Sequence, residues 1–331
     1  MLGYGLIGCG RISRTLAEAI GAPATGGRVL AAYDPHEPAR RQFCAEFGCA
    51  EAASLEALLA REDVKAVLVA SPNDLHCGQT LAAAAAGKHV FCEKPMALSV
   101  ADCDRMIEAC RAAGVKLMVG QVMRLYPLLR RLREVVAEGT LGDPVHGLAT
   151  YFFNGFRPRE SGVWHVERAR SGGLFFQMAI HQIDLMLALL GPARRVHYAG
   201  ARRGAQVRDF DDVASALIEF RSGDTATISV SSIAPVEHSE LIVVCTRGVA
   251  RATSPWASLE YGPDEDHLTR VQASDLPGPS GFELELRSFA RWVAHDEPPV
   301  LTAAEGRAAV AVAEALRHAE EAGLPAPVEG G

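Results

Sequence analysis

Short apolar runs alternating with helical patterns through residues 2–119 constrain this chain more than any other feature. Candidate strands lie at 2–7, 29–33, 65–70, 88–92 and 115–119, with helical patterns at 12–20, 37–47, 54–60, 75–86 and 99–113. Gly87 stops the Ala-rich helix that reaches Ala86, and Gly114 ends the helix that Ser99 begins. The strands are apolar throughout rather than at every second residue. Strands of that kind are buried on both faces, which calls for a parallel sheet with helices packed on each side. The expected fold is α/β, beginning with a Rossmann-type, doubly wound parallel sheet.

Beyond residue 122 the pattern changes. Thr225, Thr227, Ser229 and Ser231 alternate with Ala226, Ile228 and Val230, the period of two of a strand with one polar face. Arg221-Ser222-Gly223-Asp224 reads as a hairpin turn from a strand at 213–220. Further strands are expected at 144–153, 195–202 and 240–246. A helix at 173–190 interrupts them, and two helices close the chain. One carries Phe282, Leu286, Phe289 and Val293 on a single face; the other starts at Thr302, with Glu305 completing a capping box. The Pro/Gly-rich tail from Gly323 is expected to fray. This gives two domains, 1-122 and 123-331, the second an α+β domain with an open, mostly antiparallel sheet.

The chain has a formal net charge of −7 and no Lys/Arg-rich block, so it lacks the basic footprint that nucleic-acid binding needs. No apolar run reaches the roughly 18 residues of a membrane span. No basic segment precedes the first strand, so no leader is expected. None of the eight cysteines forms C-x-x-C or a zinc-like spacing. The expectation is a cytoplasmic protein with reduced thiols, no metal, no membrane and no nucleic-acid partner.

Gly8-Cys9-Gly10-Arg11-Ile12-Ser13 lies between the first strand and the first helix, a G-x-G-x-x-G pattern with serine last. Gly8 permits the tight turn and Gly10 lets a pyrophosphate approach the backbone. The helix N-terminus, with Arg11 and Ile12, offers N–H donors to it. Asp34 ends the second strand about 20 residues further on, where a carboxylate accepts from ribose hydroxyls and repels a 2′-phosphate. NAD is therefore favoured over NADP, although Arg40 and Arg41 lie close in sequence and could soften that preference. Ser71-Pro72-Asn73 follows the third strand and borders the ligand crevice. His76, three residues on, is both a helix-start residue and a candidate at the cofactor.

Glu93-Lys94-Pro95 follows the fourth strand and opens into the same crevice. A lysine there can hold a substrate hydroxyl and move its proton once burial and a cationic nicotinamide lower its pKa.

Gly8-Cys9-Gly10, Ser71-Pro72-Asn73, Ala86-Gly87-Lys88-His89-Val90, Glu93-Lys94-Pro95 and Ser171-Gly172-Gly173 with His181-Gln182-Ile183-Asp184 fall in order along the chain. In this the sequence resembles the Gfo/Idh/MocA (glucose–fructose oxidoreductase / inositol dehydrogenase / MocA) family. The resemblance implies a nicotinamide-dependent oxidoreductase acting on a sugar or polyol. It also implies a C-terminal domain that binds substrate and assembles a homodimer or homotetramer through its sheet. It makes Lys94 and His181 catalytic and places Glu93 beside the cofactor. The family's Asp, four residues before the His, is here Gln177, which can position a group but cannot act as a base. Gln177, His181 and Asp184 are spaced to share one face of a regular helix, with Asp184 orienting His181. Arg124, Tyr126 and Trp164 are expected at the substrate, and His165 stands where relatives commonly have Arg. The Gln177 departure leaves open a redox-neutral, NAD-dependent glycosidase. A non-catalytic dinucleotide-binding regulator is the remaining alternative.

Overall fold

The computed structural model describes residues 1–154, 164–204, 209–253 and 256–330. The chain forms two compact units. The first joins Met1–Val122 to Pro279–Arg307, and the second joins Met123–Gly278 to Ala308–Gly331.

The first unit holds six strands: β1 (Leu2–Ile7), β2 (Gly27–Tyr33), β3 (Ala50–Glu51), β4 (Ala66–Val69), β5 (His89–Cys92) and β6 (Leu117–Val119). Their order is β3-β2-β1-β4-β5-β6, and every pairing is parallel. β3, two residues long, is too short to register as an apolar run. The helices between strands are α1 (Arg11–Gly21), α2 (Glu37–Phe47), α3 (Leu55–Leu59), α4 (His76–Ala85) and α5 (Val100–Ala112). Ser54 and Ser99 cap α3 and α5, each accepting from a backbone N–H three residues on. All residues of β4 are buried, as is most of β5, which is why these strands read as unbroken apolar runs.

The second unit contains α6 (Pro127–Ala137), β7 (Pro144–Asn154), α7 (Arg168–Ser171) and α8 (Ile180–Leu190). Strands β8 (Ala193–Ala201), β9 (Val213–Phe220), β10 (Thr225–Ser231), β11 (Ile233–Cys245), β12 (Gly248–Thr253), β13 (Ser258–Gly262) and β14 (Thr269–Gln272) follow. The chain closes with α9 (Gly281–His295), α10 (Ala303–Ala322) and β15 (Ala326–Pro327). The sheet order is β14-β13-β12-β11-β7-β10-β9-β8-β15. Only β7 and β10 run parallel; the other pairings are antiparallel.

Three expectations need correction. The tail does not simply fray, because Ala326 and Pro327 pair with Val196 and Arg195 of β8. The contiguous 123-331 domain is interrupted, because α9 folds with the first unit. Its Phe289 ring stands 5.8 Å from Phe91 and 6.3 Å from Tyr4, all three fully buried. Truncating such a ring costs about 3–5 kcal/mol, which binds this late helix to the early sheet. Finally, the stretch Arg168–Leu190 is long and apolar enough to cross a membrane by length and composition. Its apolarity serves the interior, with 72% of its most apolar window buried.

Candidate active site

Parallel register aligns the strand ends of the first unit. Ile7 of β1 stands beside Tyr33 of β2 and Val69 of β4, and Val69 beside Cys92 of β5. Backbone hydrogen bonds carry the alignment one residue further. Gly8 N–H donates to Tyr33 O (2.8 Å), Ala70 N–H to Ile7 O (2.9 Å) and Glu93 N–H to Val69 O (2.9 Å). Gly8, Asp34, Ser71, Glu93 and Lys94 thus emerge along one carboxyl edge, where the strand order reverses around β1. Ligands bind at that place in sheets of this kind.

The two glycines of the turn do different things. Gly8 has φ +95°, and a Cβ there would lie 2.7 Å from Ala70 O. Only glycine fits. The Ser13 hydroxyl, fully buried, donates to Gly8 O at 2.5 Å and ties the turn to α1. Gly10 is the N-cap of α1 and offers no side-chain cap, while a Cβ on it would meet nothing within 4 Å. The backbone at Gly10 is thus open to approach at the N-terminus of α1, a cradle suited to a dinucleotide pyrophosphate. Arg11 is exposed at the first helical position and Ile12 is half-buried.

Asp34 Oδ2 accepts from Cys9 N–H and Oδ1 from His36 N–H, both at 2.8 Å. These bonds fix the carboxylate against the glycine turn. Arg40 is committed elsewhere: its guanidinium donates to Asp34 O at 3.0 Å and to Glu51 at 3.1 Å. Arg41 pairs with Glu37 in solvent.

His76 sits 1% exposed at the start of α4. Its Nδ1 lies 2.8 Å from Pro95 O and its Nε2 3.0 Å from Ser71 O. The imidazole braces the Ser71-Pro72 loop against the Lys94-Pro95 turn. Burial lowers its pKa, against the two carbonyls, which raise it. Ser71 and Pro72 are half-buried, with the Ser71 hydroxyl donating to Gln79 Oε1 at 2.6 Å, and Asn73 is 4% exposed.

The Lys94-Pro95 peptide is cis. Lys94 is half-buried. Burial pushes its ammonium below the usual lysine range, Glu93 pulls it back up, and Arg11 pushes it down again. Glu93 is 8% exposed, its Oε2 accepting from Lys94 N–H at 3.1 Å. Burial raises this carboxyl to about 7 against the opposing pull of Lys94. Glu93 is thus tied to the backbone of Lys94, and each of the two charges acts on the other.

Glu285 of α9 is the residue that the sequence-based expectations leave out. It is fully buried, neither carboxyl oxygen has a hydrogen-bond partner among the described residues, and the charge acting on it is that of Glu93. The sequence does hold a signal: Glu285 falls on the same helical stripe as Phe282 and Phe289, a charge where only apolar residues belong.

The second unit presents its own set. Gly172 and Gly173 both have positive φ and turn the chain out of α7. A π-turn, Phe175–Ala179, then precedes α8. Gln177 N–H donates to Gly173 O at 3.0 Å. The extra residue of a π-turn shifts the phase of the helix, so the simple one-face spacing is altered. Gln177 and His181 are half-buried, while Asp184 is 1% exposed and faces inward. The Asp184 carboxylate, expected to orient His181, receives Arg124 Nε at 2.5 Å and Nη2 at 2.6 Å. Arg124 itself is 3% exposed, so this ion pair is an interior one. Tyr126 is half-buried at the start of α6. Trp164 packs edge-on against buried His165, ring centroids 5.9 Å apart. The loop ahead of Trp164, residues 155–163, lies outside the described residues.

A family model described as an oxidoreductase family with an NAD-binding Rossmann fold matches residues 2–121, and the GFO/IDH/MocA C-terminal domain matches 129–251. The chain belongs to the Gfo/Idh/MocA family. It is an oxidoreductase of that family, and its first unit is the NAD-binding Rossmann domain. Among relatives, 2,7-anhydro-N-acetylneuraminate hydratase of Escherichia coli K12 is 32% identical over 75% of this chain and 66% of its own length. The match thus spans about two thirds of that relative. Myo-inositol 2-dehydrogenase of Thermotoga maritima is 29% identical over 96% of each chain. The structure of a putative NADPH-dependent oxidoreductase from Desulfitobacterium hafniense superposes with a TM-score of 0.89 at 25% identity, covering 99% of this chain and 97% of that one.

Proposed function

We propose that this member of the family is a cytoplasmic NAD-dependent dehydrogenase that oxidises a secondary alcohol of a sugar or cyclic polyol. The observation that carries the reading is the half-buried Lys94 at the carboxyl edge of the parallel sheet, in line with the Gly8–Gly10 cradle. Bound NAD supplies the hydride acceptor at nicotinamide C4. Lys94 holds the reacting hydroxyl and takes its proton as the carbinol carbon becomes a carbonyl; burial lowers its pKa, the direction that favours the free amine this step needs. His181 is the second group assigned to the hydroxyl proton, and Gln177 positions substrate through its amide. NAD rather than NADP is supported by Asp34 and by the engagement of Arg40 with Glu51, which leaves a 2′-phosphate facing a carboxylate.

The test is a panel of polyols and sugars with NAD or NADP at mildly alkaline pH, followed by absorbance of the reduced nicotinamide, with Lys94→Ala as control. A signal with NAD that falls by at least ~100-fold in the variant supports the assignment. Unchanged turnover in Lys94→Ala sinks it.

A second reading is a redox-neutral reaction on an anhydro sugar or glycoside, with NAD regenerated in each turnover. Two observations favour it: Gln177 at the family's Asp position, and a relative named as a hydratase. Release of aglycone from a nitrophenyl glycoside with catalytic NAD and no net NADH supports this reading.

Assembly as a homodimer or homotetramer through the second unit's sheet is part of the proposal. Leu217 of β9 and Val244 of β11 are 37% and 39% exposed, apolar residues on strands whose neighbours face inward. Light scattering of the full chain reads the mass directly, and a monomer at micromolar concentration overturns it.

A further inference from the structure

Cys44 lies in the last turn of α2, and Cys49 follows it across the turn that ends the helix. Gly48, at φ +61°, reverses the chain there in a left-handed conformation. Gly48 N–H and Cys49 N–H both donate to Cys44 O, the latter at 3.2 Å. This closed turn brings two thiols into contact. The Cys49 thiol donates to Cys44 Sγ at 3.4 Å, and the Cys44 thiol donates to Ala50 O at 3.4 Å. Both cysteines are free; Cys44 is 6% exposed and Cys49 is half-buried. A covalent bond requires the sulfurs to close from this contact to about 2 Å. Ala50 opens β3, which pairs with Ala31 of β2, so a bond here would fasten the end of α2 to the edge of the parallel sheet. Burial raises both thiols, Cys49 to about 12, while the Cys49 S–H draws Cys44 part of the way back. The pair therefore rests as two thiols rather than as a reactive thiolate.

We propose that Cys44 and Cys49 form a thiol–disulfide exchange site, which closes into an intramolecular disulfide when it meets a small aliphatic disulfide. Cys49, the more open of the two, gives up its proton and attacks one sulfur of the small disulfide. A mixed disulfide forms on Cys49, and the first small thiolate leaves and takes up a proton. Cys44 then gives up its proton and attacks Cys49 Sγ. The Cys44–Cys49 bond forms, the mixed disulfide breaks, and the second small thiolate leaves and is protonated. The cysteine pair has lost two electrons and two protons, and the small disulfide has gained both. An excess of small thiol runs the same steps backwards. The reaction uses no group assigned above to cofactor or substrate, so it stands apart from the dehydrogenase reading.

The full chain is equilibrated with glutathione disulfide and glutathione at a series of set ratios, quenched with acid, alkylated and cut with trypsin. Between Arg41 and Arg61 the sequence has no Lys or Arg, so Cys44 and Cys49 leave together in the peptide 42–61. The crosslinked peptide takes no alkyl group and is lighter by two hydrogen atoms than the reduced one. A further cut after Glu46 leaves its two halves joined. Because the fold already holds the sulfurs in contact, half-oxidation should need a disulfide-to-thiol ratio at least about tenfold lower in the folded chain than in the same chain in urea. A folded chain whose peptide 42–61 keeps both thiols at every ratio overturns the proposal. So does one that carries glutathione on Cys49 without closing to Cys44. Equal ratios in the folded chain and in urea also overturn it, since the fold would then contribute nothing to the pairing.

Discussion

Arg124 grips Asp184 through two charge-assisted hydrogen bonds, 2.5 and 2.6 Å long, with 4% and 1% of the respective side chains exposed. The two residues stand sixty positions apart, one just before α6 and the other in α8. The pair fixes the inner face of α8, the helix that carries His181 on its more open side. Removing one partner leaves a buried charge alone, so Asp184→Asn should destabilise by about 3–5 kcal/mol. The double change Arg124→Met with Asp184→Leu should recover most of that loss. Urea denaturation of the three proteins measures both numbers; a Asp184→Asn protein as stable as wild type contradicts the pairing.

The glycine turn predicts opposite outcomes for two similar substitutions. Gly8→Ala forces a Cβ against Ala70 O in a left-handed backbone, so it should destabilise the protein itself by about 1–3 kcal/mol. Gly10→Ala meets open space and should change stability by less than about 1 kcal/mol. It should still weaken NAD binding by roughly tenfold or more, equivalent to at least about 1.4 kcal/mol, because the added methyl occupies the approach of the pyrophosphate. Thermal melts without cofactor, beside NAD titrations by calorimetry, separate the two effects.

Asp34 predicts cofactor choice. In Asp34→Ser the carboxylate no longer repels a 2′-phosphate, and the kcat/KM ratio of NAD to NADP should fall by about tenfold. Absolute use of NAD should fall too, because Cys9 N–H loses its acceptor. A wild-type enzyme that already prefers NADP would contradict the role given to Asp34.

Stability should also depend on pH through Glu93. Its carboxyl titrates at about 7 in the folded chain against an ordinary value of 4.5. The folded state therefore keeps a proton that the unfolded chain has lost. The resulting stabilisation is complete below pH 4.5 and disappears as pH rises through 7. Melting temperatures from pH 5 to 8 should fall more steeply for the wild type than for Glu93→Gln. Parallel profiles would show that Glu93 keeps an ordinary pKa.

Much of this was legible in the sequence because it depends on neighbours in the chain. Apolar runs gave the strands of the parallel sheet, and the glycine turn followed from its place between strand and helix. Glu93-Lys94-Pro95 could be assigned to a strand end for the same reason. The hairpin at 221–224 joins β9 to β10 as its turn residues require. Local pattern could not reveal that α9 belongs to the first unit, because that depends on Phe289 meeting Tyr4 and Phe91 from far along the chain. Nor could it show the π-turn that alters the helical phase between Gln177 and Asp184, or the short β15 that secures the tail.

What the sequence determined by itself was the fold of the dinucleotide domain and the residue types at its ligand edge, since backbone propensity and periodic burial act over a few residues. Tertiary structure alone decided which charges are committed. It gave Asp184 to Arg124, His76 to two backbone carbonyls, Arg40 to Glu51, and set Glu285 in the field of Glu93. Those assignments depend on distance and desolvation between segments remote in sequence, and both are fixed only when the chain packs.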